Sequence, residues 1–148
     1  LGLGDQPIEL GKSQVLRWGT DGAILALGGL LESALDAAEL LAQQGIDVAV
    51  INQRFVKPLD DALLEKVFNE CKFVVTVEEG ALMGGFGSAV LELASDRGWE
   101  ARHMRRLGIP DQFIEHAERE ELLADLGLSA AGIADKCREL AAVASEVA

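Results

Sequence analysis

Residues 23–51 read Ala23-Ile24-Leu25-Ala26-Leu27-Gly28-Gly29, then Leu30, Leu31, Ala34, Leu35, Ala38 and Leu41 at helical spacing, then Gly45 and Val48-Ala49-Val50-Ile51. A short apolar run without polar alternation is a strand covered on both faces, and parallel strands joined by crossover helices produce that pattern. Gly45 is placed to stop the helix between the two runs. The same unit recurs downstream. Pro58 lies in a loop, and Asp60-Asp61, whose charges suit a helix N-terminus, precede a stripe of Leu63, Leu64, Val67, Phe68 and Cys71. Phe73-Val74-Val75-Thr76-Val77 is a third apolar run. Gly84, Gly85 and Gly87 then lead into a helix carrying Val90, Leu91, Leu93 and Ala94 and closed by Gly98. A fourth strand candidate, Glu100–Leu107, holds Arg102, His103, Arg105 and Arg106, and this polarity places it at the sheet edge or against a partner. Upstream, residues 1–19 read as an irregular lead-in or interdomain linker with one short edge strand at Gln14–Arg17. Downstream, a helix over Glu118–Leu126 stops at Gly127, and a second over Ser129–Val143 closes the domain. The fold expected for residues 20–148 is α/β, a three-layer αβα domain with a mostly parallel sheet.

The chain has 148 residues, enough for one domain with its own core. It carries 13 Lys and Arg against 25 Asp and Glu, a net charge of −12, which argues against broad binding of nucleic acid or anionic membranes. Hydrophobic residues make up 49% of the sequence, so the chain is not intrinsically disordered. Its apolar runs fall short of the roughly 20 residues that span a bilayer. No secretory signal is visible, and the expected location is cytoplasmic. The sequence begins at Leu1, which suggests a piece of a longer protein. Cys71 and Cys137 fall on apolar helical stripes, in no zinc-binding spacing, and read as buried structural thiols in a reducing compartment.

Several residues invite a chemical reading. Gly28-Gly29, between strand and helix, exposes backbone N–H groups to an anion or simply permits a tight turn. Gly85-Phe86-Gly87-Ser88-Ala89-Val90 approaches the dinucleotide fingerprint but lacks its last glycine and its following acidic residue. Adjacent strand residues point to opposite faces, so Glu78 and Glu79 do not share one site; a carboxylate at this position caps a loop or meets an arginine. His103 and His116 sit on different elements, with no serine, cysteine or aspartate in a nucleophile frame. Arg102, His103, Arg105 and Arg106 form the basic cluster of an acidic chain, a solvated edge or a contact for a phosphate or an acidic partner. Arg54, just past a strand, reads as an ion-pair partner. These residues do not compose a complete active site, and an autonomous small-anion-binding module is one reading of the glycine turns.

Motifs taken in order resemble the C-terminal domain of thiamine-diphosphate-dependent transketolase-type enzymes. They are Ile8-Glu9-Leu10-Gly11-Lys12, Arg54-Phe55-Val56-Lys57-Pro58-Leu59-Asp60, Thr76-Val77-Glu78-Glu79-Gly80, and Gly84-Gly85-Phe86-Gly87-Ser88. The order is shared by transketolases, 2-oxoacid dehydrogenase E1 β subunits and 1-deoxy-D-xylulose-5-phosphate synthases. The tail, Leu107-Gly108-Ile109-Pro110-Asp111, Phe113-Ile114-Glu115-His116 and Leu126-Gly127-Leu128-Ser129-Ala130-Ala131-Gly132-Ile133, is similar to the synthase family in particular. The resemblance implies a sheet of about five strands with one antiparallel edge strand. It also implies a longer enzyme that condenses pyruvate with glyceraldehyde 3-phosphate, releasing CO2, on thiamine diphosphate and Mg²⁺. Its product feeds isoprenoid, thiamine and pyridoxal synthesis. The family's cofactor and metal residues lie in upstream domains, and Thr20-Asp21-Gly22 is not their GDG motif. No catalytic, cofactor-binding or metal residue is therefore assigned here, and no cofactor is expected on this piece alone. The expected role is structural, in a homodimer, with Arg54, Glu78, Gly84, Gly85, Gly87 and Ser88 at contacts with the missing domains or a second subunit. Asn52-Gln53 and Gly80 depart from the family pattern, which commonly has an aspartate and an asparagine there.

Overall fold

The computed structural model describes residues 12–53, 59–81, 85–109, 124 and 127–146. Five strands and four α-helices occur among them: β1 (Gln14–Thr20), β2 (Gly22–Leu27), α1 (Leu31–Ala42), β3 (Val48–Asn52), α2 (Asp61–Glu70), β4 (Val74–Ala81), α3 (Phe86–Arg97), β5 (Met104–Ile109) and α4 (Ala130–Glu146). They form one sheet of order β1-β3-β2-β4-β5. The pairs β2–β3, β2–β4 and β4–β5 are parallel, whereas the edge strand β1 runs antiparallel to β3. The mostly parallel sheet with one antiparallel edge strand is thus present.

The unbroken apolar runs divide between two cores, one on each face. Ile24, Ala26, Val48, Val50, Val75 and Val77 meet Ala34, Ala38 and Leu41 of α1 and Ile133, Ala134 and Cys137 of α4. Ala23, Leu25, Ala49, Ile51 and Val74 meet Leu64 and Val67 of α2 and Phe86 and Val90 of α3. Alternate residues of one strand therefore supply both cores, which is why the runs carry no polar period.

Several boundaries differ from the sequence reading. β1 extends to Thr20 because Thr20 pairs with Val48, so more of the segment before residue 20 is sheet than the four-residue strand expected there. The fourth strand starts at Met104, and Arg102 and His103 sit in the preceding turn, so Arg102 shares no strand face with Arg106. The final helix begins at Ala130, with the Ser129 hydroxyl accepting from the Gly132 N–H at 3.2 Å. The expected helix at 118–126 lies outside the described residues apart from helical Ala124.

Asp60 explains where α2 starts. Its Oδ1 accepts from the Leu63 N–H at 3.3 Å and its Oδ2 from the Ser13 N–H at 2.9 Å. One buried carboxylate thus caps the helix and ties down the approach to β1. Asp60→Ala is expected to lower stability by about 1–2 kcal/mol in urea denaturation, with Asp60→Asn recovering part of the loss. Faster hydrogen exchange at the Ser13 amide accompanies it, and an unchanged amide there contradicts the tie.

Both cysteines are free and buried, as expected of structural thiols. Burial pushes the Cys71 thiol up to about 11, helped by the charge of Glu70 and opposed by Lys66. Burial likewise lifts Cys137 to about 12, against the opposing charge of Arg138. A thiol whose folded pKa exceeds its ordinary value of 9.0 contributes stability in full below pH 9.0 and loses it as the pH climbs toward the folded value. Stability is therefore expected to fall above about pH 9, a decline that Cys137→Ala reduces. The chain contains no tyrosine to share that titration. At neutral pH a thiol reagent is expected to label neither cysteine until denaturant is added; rapid labelling of the native chain contradicts the burial.

Candidate functional site at the carboxyl edge of the sheet

In open α/β sheets, ligands and partners are met where neighbouring strands send their following loops to opposite faces, beyond the strands' carboxyl ends. Here that point lies between β2 and β4. β2 leads into α1 over one face, and β4 leads into α3 over the other. Gly28-Gly29, Glu78, Glu79, Gly85–Ser88 and Arg106 gather around this edge.

Gly28 holds a φ of +80°, and Gly28–Leu30 form one 3-10 turn before α1. Glu32 occupies the first turn of α1 and already places a negative charge at its N-terminus. The glycine pair serves the tight turn, the plainer of its two sequence readings.

Glu78 is the best-held polar group of the edge. It is 2% exposed. Its Oε1 accepts from the Phe86 N–H at 2.9 Å and its Oε2 from the Gly87 N–H at 2.7 Å. These are first-turn amides of α3, the groups that a helix leaves without intrahelical partners. The carboxylate of β4 thus occupies the positive end of α3, where a phosphate would otherwise bind. The glycine-rich turn that resembles a nucleotide loop is filled by the chain itself, which removes one of the two seats of the small-anion reading.

Gly87 makes the close approach possible. A Cβ there would stand 2.6 Å from Thr76 Oγ1 and 3.0 Å from Arg106 Cγ, so α3 sits this near the sheet only because residue 87 has no side chain. No pattern in the sequence marks Thr76 for this contact. Arg106 crosses the start of α3, with Nη1 donating to Ser88 Oγ at 2.7 Å. Glu79 is half-buried and follows Glu78 onto the opposite face. Buried Gln53 donates its backbone N–H to Ala26 O at 2.8 Å, and Asn52 Nδ2 donates to Gln14 Oε1 at 3.3 Å. The Asn52 side chain thus adds a tie from β3 to β1, whereas the bond from residue 53 to β2 is made by the backbone and does not depend on the side chain there. Arg54, Gly84 and His116 lie outside the described residues. His103 is half-buried near the other end of the sheet and, among the described residues, hydrogen-bonds no nucleophile or carboxylate through its ring.

The described residues do not suit thiamine diphosphate with Mg²⁺. Among them, no group of three histidine, cysteine or acidic side chains could hold a metal ion. The α3 amides that would seat a diphosphate are taken by Glu78. Among the described residues, cavities of about 80 and 200 Å³ lie at the amino ends of the strands, beside Phe73 and Met104 in one case and Asp21 and Ile46 in the other. Sites for cofactor-sized ligands hold roughly 300–1,000 Å³.

Comparison with known proteins matches this geometry to a described family. The family model for the transketolase C-terminal domain matches residues 11–133. The chain is 48% identical over 142 residues to the 1-deoxy-D-xylulose-5-phosphate synthase of Rhodopirellula baltica, covering 95% of this chain and 22% of that protein. It is 50% identical over 135 residues to the synthase of a Synechococcus strain, covering 91% and 21% respectively. The chain thus spans about a fifth of the length of the curated relatives it matches. Among solved structures, it is similar to a split-gene transketolase described as an inactive beta4 tetramer. The TM-score is 0.85 at 33% identity, over 93% of this chain and 45% of that one.

Proposed function

Because this chain belongs to the transketolase C-terminal domain family, we propose that it is the C-terminal domain of a 1-deoxy-D-xylulose-5-phosphate synthase and works as a scaffold within it. The whole enzyme condenses pyruvate with glyceraldehyde 3-phosphate, with loss of CO2, on thiamine diphosphate and Mg²⁺ held by other domains. One observation carries the reading: identity of 46–50% to synthases runs along nine-tenths of this chain, although those relatives are several times longer. The self-capped edge at Glu78 agrees with it, since that edge is built to hold its own shape.

In this reading Arg54 and the Gly84–Ser88 turn meet the missing domains or a second subunit of a homodimer. Glu78 supports the start of α3 from beneath, through the Phe86 and Gly87 amides. The two reduced thiols suit the cytoplasm.

The test replaces the matching 142-residue segment of the Rhodopirellula synthase with this chain and measures 1-deoxy-D-xylulose 5-phosphate formed from pyruvate and glyceraldehyde 3-phosphate. Product from the hybrid is expected. The isolated chain is expected to give no product and no heat on titration with thiamine diphosphate and Mg²⁺. Turnover by the isolated chain, or transketolase activity in place of synthase activity in the hybrid, overturns the proposal.

A further inference from the structure

β1 runs against its neighbours, and that reversal decides where the chain enters the sheet. Gln14, the first residue of β1, pairs with Asn52, the last residue of β3. Because β3 is parallel to β2, and β2 to β4, the start of β1 lies at the carboxyl edge, which also holds Glu78 and the turn into α3. A parallel β1 would have begun at the opposite edge. α2, which follows β3, starts at the carboxyl edge as well, with Asp60 as its cap.

Two consecutive residues of this entry are held by side chains from β3 and the start of α2. Asn52 Nδ2 donates to Oε1 of buried Gln14 at 3.3 Å, and the Ser13 N–H donates to Asp60 Oδ2 at 2.9 Å. The second bond exceeds what α2 needs. A helix cap requires one side-chain oxygen, which Ser, Thr or Asn supplies without a charge. Asp60 gives Oδ1 to the Leu63 N–H as that cap and turns Oδ2 to an amide 47 residues earlier in the chain. It does so at 7% exposure, where a carboxylate is costly to bury unless its oxygens are engaged. Capping therefore accounts for one oxygen of this carboxylate, and the hold on Ser13 for the other.

We infer that Asp60 is a positioning residue of the larger enzyme: its grip on the Ser13 amide fixes the direction in which the chain enters β1, and with it the placement of the upstream domains over the carboxyl edge. The inference rests on the synthase reading, in which the domains that hold thiamine diphosphate precede this one. A turn of the backbone at residue 13 is carried across the whole width of the body attached to it, and misplacing reacting groups by about 1 Å lowers a rate by up to roughly a hundredfold. Asp60 acts only through that backbone, as a hold on direction and not as a group of the reaction. The competing meaning is a cap with a stabilising tie, which affects folding alone.

Asp60→Ser separates the two meanings, because one short hydroxyl can cap Leu63 but leaves the Ser13 amide unheld. Ser13→Pro removes the same bond from the other end, with Asp60 in place. Each is introduced into the Rhodopirellula hybrid and assayed with pyruvate and glyceraldehyde 3-phosphate at a temperature where circular dichroism shows the protein folded. Asp60→Asn, whose NH2 cannot accept from Ser13, replaces Asp60→Ser if the latter does not fold. Both variants are expected to lower kcat by about tenfold or more, with KM for pyruvate changed by less than about threefold. In the 148-residue chain, trypsin should cut after exposed Lys12 several times faster in Asp60→Ser than in the parent. A folded hybrid with either substitution and undiminished kcat, or unchanged cleavage after Lys12, overturns the inference and leaves the synthase reading intact. An unsubstituted hybrid that makes no product overturns that reading, and the inference with it.

Discussion

Gly22→Ala is expected to destabilise the chain by about 3 kcal/mol or more, the upper range for overpacking a core. A Cβ at position 22 would stand 2.2 Å from both Cε1 and Cζ of Phe73 and 2.5 Å from Cε2, so the glycine Cα is the surface on which the ring lies. The ring cannot retreat easily. Phe73 is 1% exposed within the core beneath α1 and α4, and its carbonyl accepts from the Ala23 N–H at 2.9 Å, which holds the two backbones in place. At this chain length a loss of about 3 kcal/mol corresponds to a fall in Tm of roughly 6–12 °C. The check is a double-mutant cycle with Phe73→Leu, read by urea denaturation. Phe73→Leu alone should destabilise by loss of packing. The double variant should lose clearly less than the sum of the single losses, because leucine vacates part of the space that the added methyl group needs. Simple additivity, or a Gly22→Ala chain within about 0.5 kcal/mol of the parent, contradicts this account of the contact.

The contrast between this contact and the elements around it shows what a sequence discloses. Val48–Ile51 is legible because burial on both faces writes an unbroken apolar run, and Gly98 because the end of α3 needs a left-handed residue, with φ +72°. Local signals of this kind set the α/β class and the helix ends. β1 reads too short because an edge strand is covered less completely: Val15 is 44% exposed, and the strand mixes apolar with polar residues. The start of β5 reads too early because its arginines carry no periodicity that separates turn from strand. The pairing of Gly22 with Phe73 is not legible at all. The two residues meet through the parallel pairing of β2 with β4, and nothing within either segment names the other. At the candidate edge, the sequence supplies Glu78 and the glycine turn separately, together with the expectation that such a carboxylate caps a loop. That the loop is the start of α3 depends on where the β4–α3 connection returns to the sheet, which is set by packing around Phe86 and Val90.

Removing that carboxylate should have the second large effect. In Glu78→Ala the N–H groups of Phe86 and Gly87 lose their acceptors at a buried position, and each unsatisfied buried donor costs roughly 1–3 kcal/mol, so a loss of about 3 kcal/mol is expected. Water can enter the space vacated by the side chain, which keeps the loss below the sum of two full penalties. Glu78→Gln separates geometry from charge. Its amide keeps one oxygen acceptor but turns an NH2 toward the other backbone donor, so it should lie between parent and alanine rather than restore the parent. Glu78→Asp is one methylene shorter and cannot span both amides from the same backbone position. The site of the damage distinguishes a cap from a general packing defect. Hydrogen exchange should accelerate first at Phe86, Gly87 and the following turn of α3, while the β2 and β3 amides remain protected until global unfolding. A Glu78→Gln chain as stable as the parent, or exchange that rises uniformly through the sheet, contradicts the cap. The direction of the charge effect follows from the same contact: the buried carboxylate lies against the positive end of α3, shielded from solvent ions, so moderate salt should leave the Glu78→Ala penalty nearly unchanged. A surface ion pair would fade under those conditions, whereas a helix that carries its own anion does not.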